Sequence, residues 1–256
     1  MATSLAYIVG LYFIPESPIF KMLQGKDEEA KEILESLGRI DDLKDLMVLK
    51  VEDKAKKTTN WDIIKVKSNR NALLILMVLF TLVSMSGSVA MVFYATSIFD
   101  LANMHLDSNI STIVIGVTLL VSSFLSPIFV DRIGRRILLI VSCGLSCICQ
   151  AVMGLYFFLE AGDYPVVESI RWLPLASMIS FFIAFNAGMA IIPSTLIGEL
   201  FTSEVRSLGS AVTLTFNWFF GFATSLAFGP MIAALGAYIT FWMYSGICAI
   251  AFIFSI

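Results

Sequence analysis

Charge is what this sequence lacks most. Only 14% of its 256 residues are Asp, Glu, Lys or Arg, against about a quarter in a soluble globular domain. Mean hydropathy is +0.86. That scarcity excludes a water-soluble domain, and with a net charge of −3 there is no basic face to hold nucleic acid. Histidine is nearly absent. His105 stands alone in a predicted loop, so the four cysteines lack the company a zinc site requires. Cys143, Cys147, Cys149 and Cys248 all fall inside apolar runs and read as small apolar packing groups. Neither a metal nor a cofactor is expected. The apolar runs carry no Asp, Glu, Lys or His at mid-depth, so they supply no intramembrane proton carrier. Nucleophile–base pairs and phosphate loops are missing as well, so an enzyme is not expected. The opening apolar run has neither a basic n-region nor an A-x-A site, and no cleavable signal peptide is read there.

What the chain has is apolar length. Six runs, at 71–99, 108–130, 136–159, 172–198, 207–231 and 235–256, are each long enough to cross a bilayer as a helix. Residues 1–14 are apolar but too short to cross about 30 Å of hydrocarbon at roughly 1.5 Å per residue. They read as the end of a helix that begins earlier. The expectation is an all-α membrane protein with three parts: the helix end at 1–14, a helical linker at 15–70 and a six-helix bundle at 71–256.

The basic residues orient it. Twelve of the 17 Lys and Arg lie in 15–70, and Arg132, Arg135, Arg136 and Arg206 fall in alternate loops, so 16 of 17 share one side. The positive-inside rule makes that side, and the linker, cytoplasmic. Within the linker, Ser17-Pro18 starts a short helix that Gly25 stops. Asp27 is expected to cap a second helix, with Ala30, Ile33, Leu34 and Leu37 on one stripe and Gly38 at its end. The basic cluster from Lys54 to Arg70 suits an anionic leaflet surface.

Two spans are interrupted. The first contains Ser84-Met85-Ser86-Gly87-Ser88, and the fourth contains Asn186, Gly188 and Pro193 at the same relative depth. Such paired interruptions in corresponding helices point to a transporter's binding site. Small-residue helix packing would explain the Gly and Ser equally well. Asn217 and Trp218 in the fifth span add an amide and an aromatic face, while Gln150 in the third reads as helix–helix glue.

Between the second and third spans lies Asp131-Arg132-Ile133-Gly134-Arg135-Arg136. A plain orientation signal would account for its arginines. The arrangement D-R-x-G-R-R between two spans, however, resembles the signature loop of the sugar porter branch of the major facilitator superfamily. Three further stretches share the resemblance. Pro15-Glu16-Ser17-Pro18 with its following helix is similar to the pattern after the sixth transmembrane helix. Glu199-Leu200-Phe201 with Arg206 resembles the signature at the inner end of the tenth, and Asn217-Trp218 matches the Asn-Trp of the eleventh. The chain thus looks like the C-terminal half of a sugar porter, most like the insect facilitated trehalose or glucose carriers.

The resemblance implies a facilitative carrier in the plasma membrane that moves a small polar solute, a sugar, by alternating access. It implies an absent N-terminal six-helix half as partner and the bilayer as surroundings. Glu16, Asp131, Arg132, Arg135, Arg136, Glu199 and Arg206 would form its cytoplasmic charge latch. Ser84, Ser86, Ser88, Asn186, Ser194, Asn217 and Trp218 would face the solute. The chain also departs from the family. Ile19 stands where an Arg is usual, residues 83–89 replace Q-Q-L-S-G-x-N without its Gln or Asn, and residues 188–194 lack the family's Trp. The alternative expectation is a non-transporting sensor derived from the family, or an inactive truncated product.

Overall fold

The computed structural model describes residues 16–39, 43, 47, 66–102, 107–201 and 205–256. The expected helix end at 1–14 and the basic cluster at 54–65 lie outside them. The chain divides into two units, Met1–Thr59 and Asn60–Ile256, described separately below.

In the first unit α1 spans Pro18–Leu23, with Pro18 at its first turn, where a missing N–H costs nothing. Gly25 takes φ 85° and turns the chain. Helix α2 spans Asp27–Ser36. Asp27 was expected to cap it, but Lys26 holds the cap position and Asp27 is the first helical residue. There, with Glu28 and Glu29, its charge complements the helix dipole instead. Gly38 follows the helix at φ 67°. Ala30 and Leu34 are buried, and Leu37 is exposed. The Lys21 ammonium bridges Glu16 at 3.1 Å and Glu29 at 3.0 Å, while Lys26 meets Glu29 at 2.9 Å. Hydrogen bonds to Glu29 and Glu16 raise the Lys21 pKa, and those from Lys26 and Lys21 lower that of Glu29.

The second unit is built from two triplets of helices. In the first triplet α3 (Lys67–Met85), α4 (Ser88–Phe93) and α5 (Ala95–Leu101) make one interrupted rod. It is followed by α6 (Ser108–Ile133) and α7 (Arg135–Ala161). A 3₁₀ turn at Pro165–Ile170 leads to the second triplet. This begins with another interrupted rod, α8 (Leu173–Ala187) and α9 (Ile192–Leu200), and continues with α10 (Arg206–Leu235) and α11 (Ala237–Ser255). Five of these rods are long and apolar enough to cross a membrane, from Lys67–Phe93 to Ala237–Ser255. The sixth, α6, has 26 helical residues, and its apolar stretch among the described residues is Asn109–Phe124.

The triplets repeat in detail. A single glycine joins α6 to α7, Gly134 at φ 90° and ψ 146°, and another joins α10 to α11, Gly236 at φ 87° and ψ 159°. Each preceding helix carries an interior proline shortly before the joint, Pro127 and Pro230. Gly134 and Gly236, like Gly87 and Gly188 at the breaks, are separated by about 100 residues, the mark of an internal repeat.

Helix α7 is the central post. It packs along α11 and α8; α6 lies on α8, and α10 lies on α3 and α4. Contacts of Arg136 with Ile256, Cys147 with Ser245 and Gly154 with Trp242 make α7 and α11 antiparallel. The two glycine joints therefore lie at opposite ends. Three apolar clusters fill the interior, and the largest is rich in aromatics such as Phe157 stacked on Phe241 at 5.4 Å. Helix α10 is the least buried rod, presenting Trp218, Phe219, Phe222 and Leu226 outward.

Candidate functional site

The interruption between α3 and α4 follows from residues 84–88. The chain turns at Ser86 and Gly87, and Gly87 takes φ 82° with no room for a side chain: a Cβ there would lie 2.5–2.8 Å from the Tyr244 ring. The carbonyl of Ser86 accepts a hydrogen bond from Gln150 Nε2 at 3.2 Å, so α7 satisfies the backbone that the break frees. Gln150 is thus a clasp between helices.

The second interruption, at 188–191, is stitched by the same helix. Ser142 on α7 donates to the Ala184 carbonyl at 2.7 Å and accepts from the Met189 N–H at 3.0 Å. A Cβ on Gly188 would meet Ser142 Cβ at 2.7 Å and the Leu138 carbonyl at 2.8 Å, so only glycine fits between α8 and α7. Pro193 stands at the start of α9, where its missing N–H is tolerated.

Two of the expected solute-facing residues meet. Ser84 Oγ lies 2.7 Å from Asn217 Oδ1 and 2.9 Å from the Asn217 carbonyl, tying α3 to α10 and leaving the Asn217 amide N–H₂ with donors to offer. Asn186 is held elsewhere, on α8 against α6: its Nδ2 donates to Ser122 Oγ at 2.9 Å, and its carbonyl accepts from Ser126. Trp218 points outward at 69% exposure, and Ser194 is exposed on α9. Ser86 is fully buried and donates to the Val83 carbonyl at 2.7 Å; Ser88 is buried too. Ser122, Ser126 and Ser142 were not singled out from sequence. They are isolated hydroxyls on long helices, and only the helix rotations reveal their partners.

At the end of the bundle bearing Gly134, Arg135 forms an ion pair with Glu199 of α9, and the Arg136 guanidinium donates to the Ile256 carbonyl. These groups sit over a cleft of about 570 Å³ between α3, α7, α9 and α11, walled by Ile75, Leu79, Leu139 and Ile192. Arg206 donates to the Phe201 carbonyl at 3.5 Å. Glu16 is engaged by Lys21 within its own hairpin. The side chains of Asp131 and Arg132 lie outside the described set.

Alongside its two broken rods, its polar pair across α3 and α10 and its ion pair between triplets, the chain has a sequence that can itself be placed in a family. The model "Sugar (and other) transporter" covers residues 1–256. The chain belongs to this family. It is similar to the facilitated trehalose transporter Tret1 of Culex quinquefasciatus, at 31% identity over 98% of this chain and 49% of the relative. The Tret1 of Polypedilum vanderplanki is 32% identical over 98% of this chain and 51% of its own length. Among solved structures, the proton:xylose symporter XylE bound to 6-bromo-6-deoxy-D-glucose superposes with a TM-score of 0.72 at 23% identity, covering 98% of this chain and 52% of that one. That likeness establishes the fold, half of a major facilitator bundle. The chain spans about half the length of the curated relatives it matches. As a family member with several membrane-length helices, it is a multi-pass membrane protein.

Proposed function

We propose that this chain is the C-terminal six-helix half of a facilitative sugar carrier of the plasma membrane, working against a second six-helix half. The observation that carries this reading is the Ser84–Asn217 pair beside the break in the first rod. With the Ser84 hydroxyl and the Asn217 oxygen engaged with each other, the Asn217 amide hydrogens are left to offer to a sugar's hydroxyls. Asn186, Trp218 and Ser194 would join it as the halves close around the solute, with Ser86 and Ser88 backing the break. The trehalose carriers among the relatives make a sugar the first class to test.

Closure of one side rests on the Arg135–Glu199 pair, with Asp131, Arg132, Arg136, Arg206 and Glu16 as further members of the latch. Each half-exposed pair contributes under about 1 kcal/mol. A set of them can therefore break and reform as the halves rock. The 16 of 17 basic residues on one side support a cytoplasmic latch and linker, and with them the division at 14 and 70. The outward apolar face of α10 supports an apposed half.

The test is uptake of labelled trehalose and glucose into proteoliposomes. The protein with both halves should give saturable uptake that Asn217→Ala reduces at least tenfold, the equivalent of about 1.4 kcal/mol. Residues 1–256 alone should give none. Uptake insensitive to Asn217→Ala would remove the proposed site, and saturable uptake by 1–256 alone would remove the need for a second half. The inward bonding of Ser86 and the burial of Ser88 favour the second reading, a family-derived sensor or inactive product, because the first rod then offers a solute little beyond Ser84. Binding without uptake would support it.

A further inference from the structure

Helix α7 stitches the second break with the Ser142 hydroxyl and the first with the Gln150 amide, whose own oxygen is left over. Gln150 gives its amide hydrogens to the Ser86 carbonyl and to Met91 Sδ, at 3.2 and 3.1 Å. Its carbonyl oxygen has no partner among the described residues, although the residue is 1% exposed. Two more polar atoms nearby share that condition: the hydroxyl of Tyr244, 2% exposed, and that of Ser146, fully buried. Ser146 precedes Gln150 by one helical turn and so shares its face of α7. Tyr244 comes to the same level from α11. On that antiparallel seam Ser245 bonds the Cys147 carbonyl and Trp242 lies on Gly154, which sets Tyr244 opposite the turn containing Gln150. The Tyr244 ring also lies against Gly87, the residue next to the carbonyl that Gln150 holds.

Unpartnered polar groups in a membrane interior are costly, and three around one backbone break is not a pattern that apolar packing produces. A buried water makes about three hydrogen bonds, and it needs polar neighbours to stay. We propose that Gln150 Oε1, the Tyr244 hydroxyl and Ser146 Oγ hold a water behind the break in the first rod. This site lies on the α7–α11 side of the rod, away from the Ser84–Asn217 pair. Gln150 is then a positioning residue. One end of its amide fixes the Ser86 carbonyl and the other is fixed by water, so the water helps to set where α4 begins. The proposal is independent of which solute the protein carries.

Radiolytic labelling in H₂¹⁸O of the protein in lipid nanodiscs tests it, because hydroxyl radicals form where water resides. Tyr244 and Met91, both buried, should take up ¹⁸O several-fold faster, after correction for intrinsic reactivity, than Phe181 and Met178, which are equally buried in the apolar cluster. Tyr244→Phe should slow labelling of Met91 and lower the thermal unfolding midpoint by about 3 °C or more, since it strands the water's other partners. Equal labelling of the two pairs would overturn the site. So would a Tyr244→Phe midpoint that is unchanged or raised, the result expected when an unused hydroxyl is deleted from a dry contact.

Discussion

The two helix breaks occupy the same place in their triplets, yet they are held in different ways. At 188–191 the turn closes on itself, with Ala190 donating to Phe185 and Ile191 and Ile192 both donating to Gly188. Ser142 serves as donor and acceptor from a single atom, and the Ser126 hydroxyl of α6 takes the Asn186 carbonyl. At 86–87 a left-handed glycine makes the turn and an amide does the stitching. An amide has two ends. When Gln150 spends its N–H₂ on Ser86, it brings a carbonyl that needs a partner of its own. A break sewn by a hydroxyl can be dry, whereas one sewn by an amide calls for something more.

Substitutions at the glycines should separate the breaks most strongly. Gly87→Ala faces the left-handed backbone cost of about 1–2 kcal/mol and overlap with the Tyr244 ring, about 3 kcal/mol together. Tyr244→Ala in the same chain should recover the overlap and leave the backbone cost, as read from unfolding midpoints in detergent. Gly188→Ala carries no left-handed cost, since Gly188 has φ −141°. It drives a methyl into Ser142 and a backbone oxygen, for about 2 kcal/mol. If Gly188→Ala proved the worse of the two, the left-handed turn would not be what distinguishes the first break.

Ser142→Ala should cost about 1–2 kcal/mol by leaving the buried Met189 N–H unpaired, and Ser142→Thr should not rescue it where Gly188 already touches Cβ. Ser84→Ala comes next. Its loss from the Asn217 pair should cost about 1 kcal/mol in stability. The smallest effect lies outside the bundle, in the α1–α2 hairpin. The lowered pKa of Glu29 means that its stabilisation is present above the usual carboxylate range and is lost as pH falls through the lowered value. The raised pKa of Lys21 means that its contribution is full below the usual lysine range and fades as pH rises through the raised one. Protection from hydrogen exchange in residues 27–36, corrected for intrinsic rates, should therefore be greatest between about pH 5 and pH 10. Exchange at both breaks, corrected for intrinsic rates, should stay flat over pH 5–9, because neither rests on an ion pair.

Much of this was legible in sequence because the informative residues are ones whose backbone behaviour is local. Gly87, Gly188 and Pro193 announce the breaks wherever the helices pack, and Gly134 marks the joint. Arg135 and Glu199 could be matched because each stands at the charged end of an apolar run. The serines were harder. Successive helical residues are turned by about 100°, so Ser84, Ser86 and Ser88 cannot be assigned one face without knowing how Gly87 turns the rod. Ser142 was silent for the same reason, since its role depends on α8 lying against that side of α7. Asp27 was one position from its expected place because acidic residues suit both a cap and a first turn.

The paired single-glycine joints bear on how the chain is threaded into a bilayer during synthesis. With one residue between their helices, α6–α7 and α10–α11 are each a tight hairpin whose arms share one short tip. The hairpin that turns at Gly134 carries arginines at its tip, and pulling one through hydrocarbon costs about 2.5–3.5 kcal/mol on the insertion scale. Those charges oppose its crossing. The other tip, Leu235-Gly236-Ala237, bears no charge and no side chain at its apex. Its crossing carries no such charge penalty, a difference in keeping with the antiparallel α7 and α11 that set the two joints at opposite ends of the bundle.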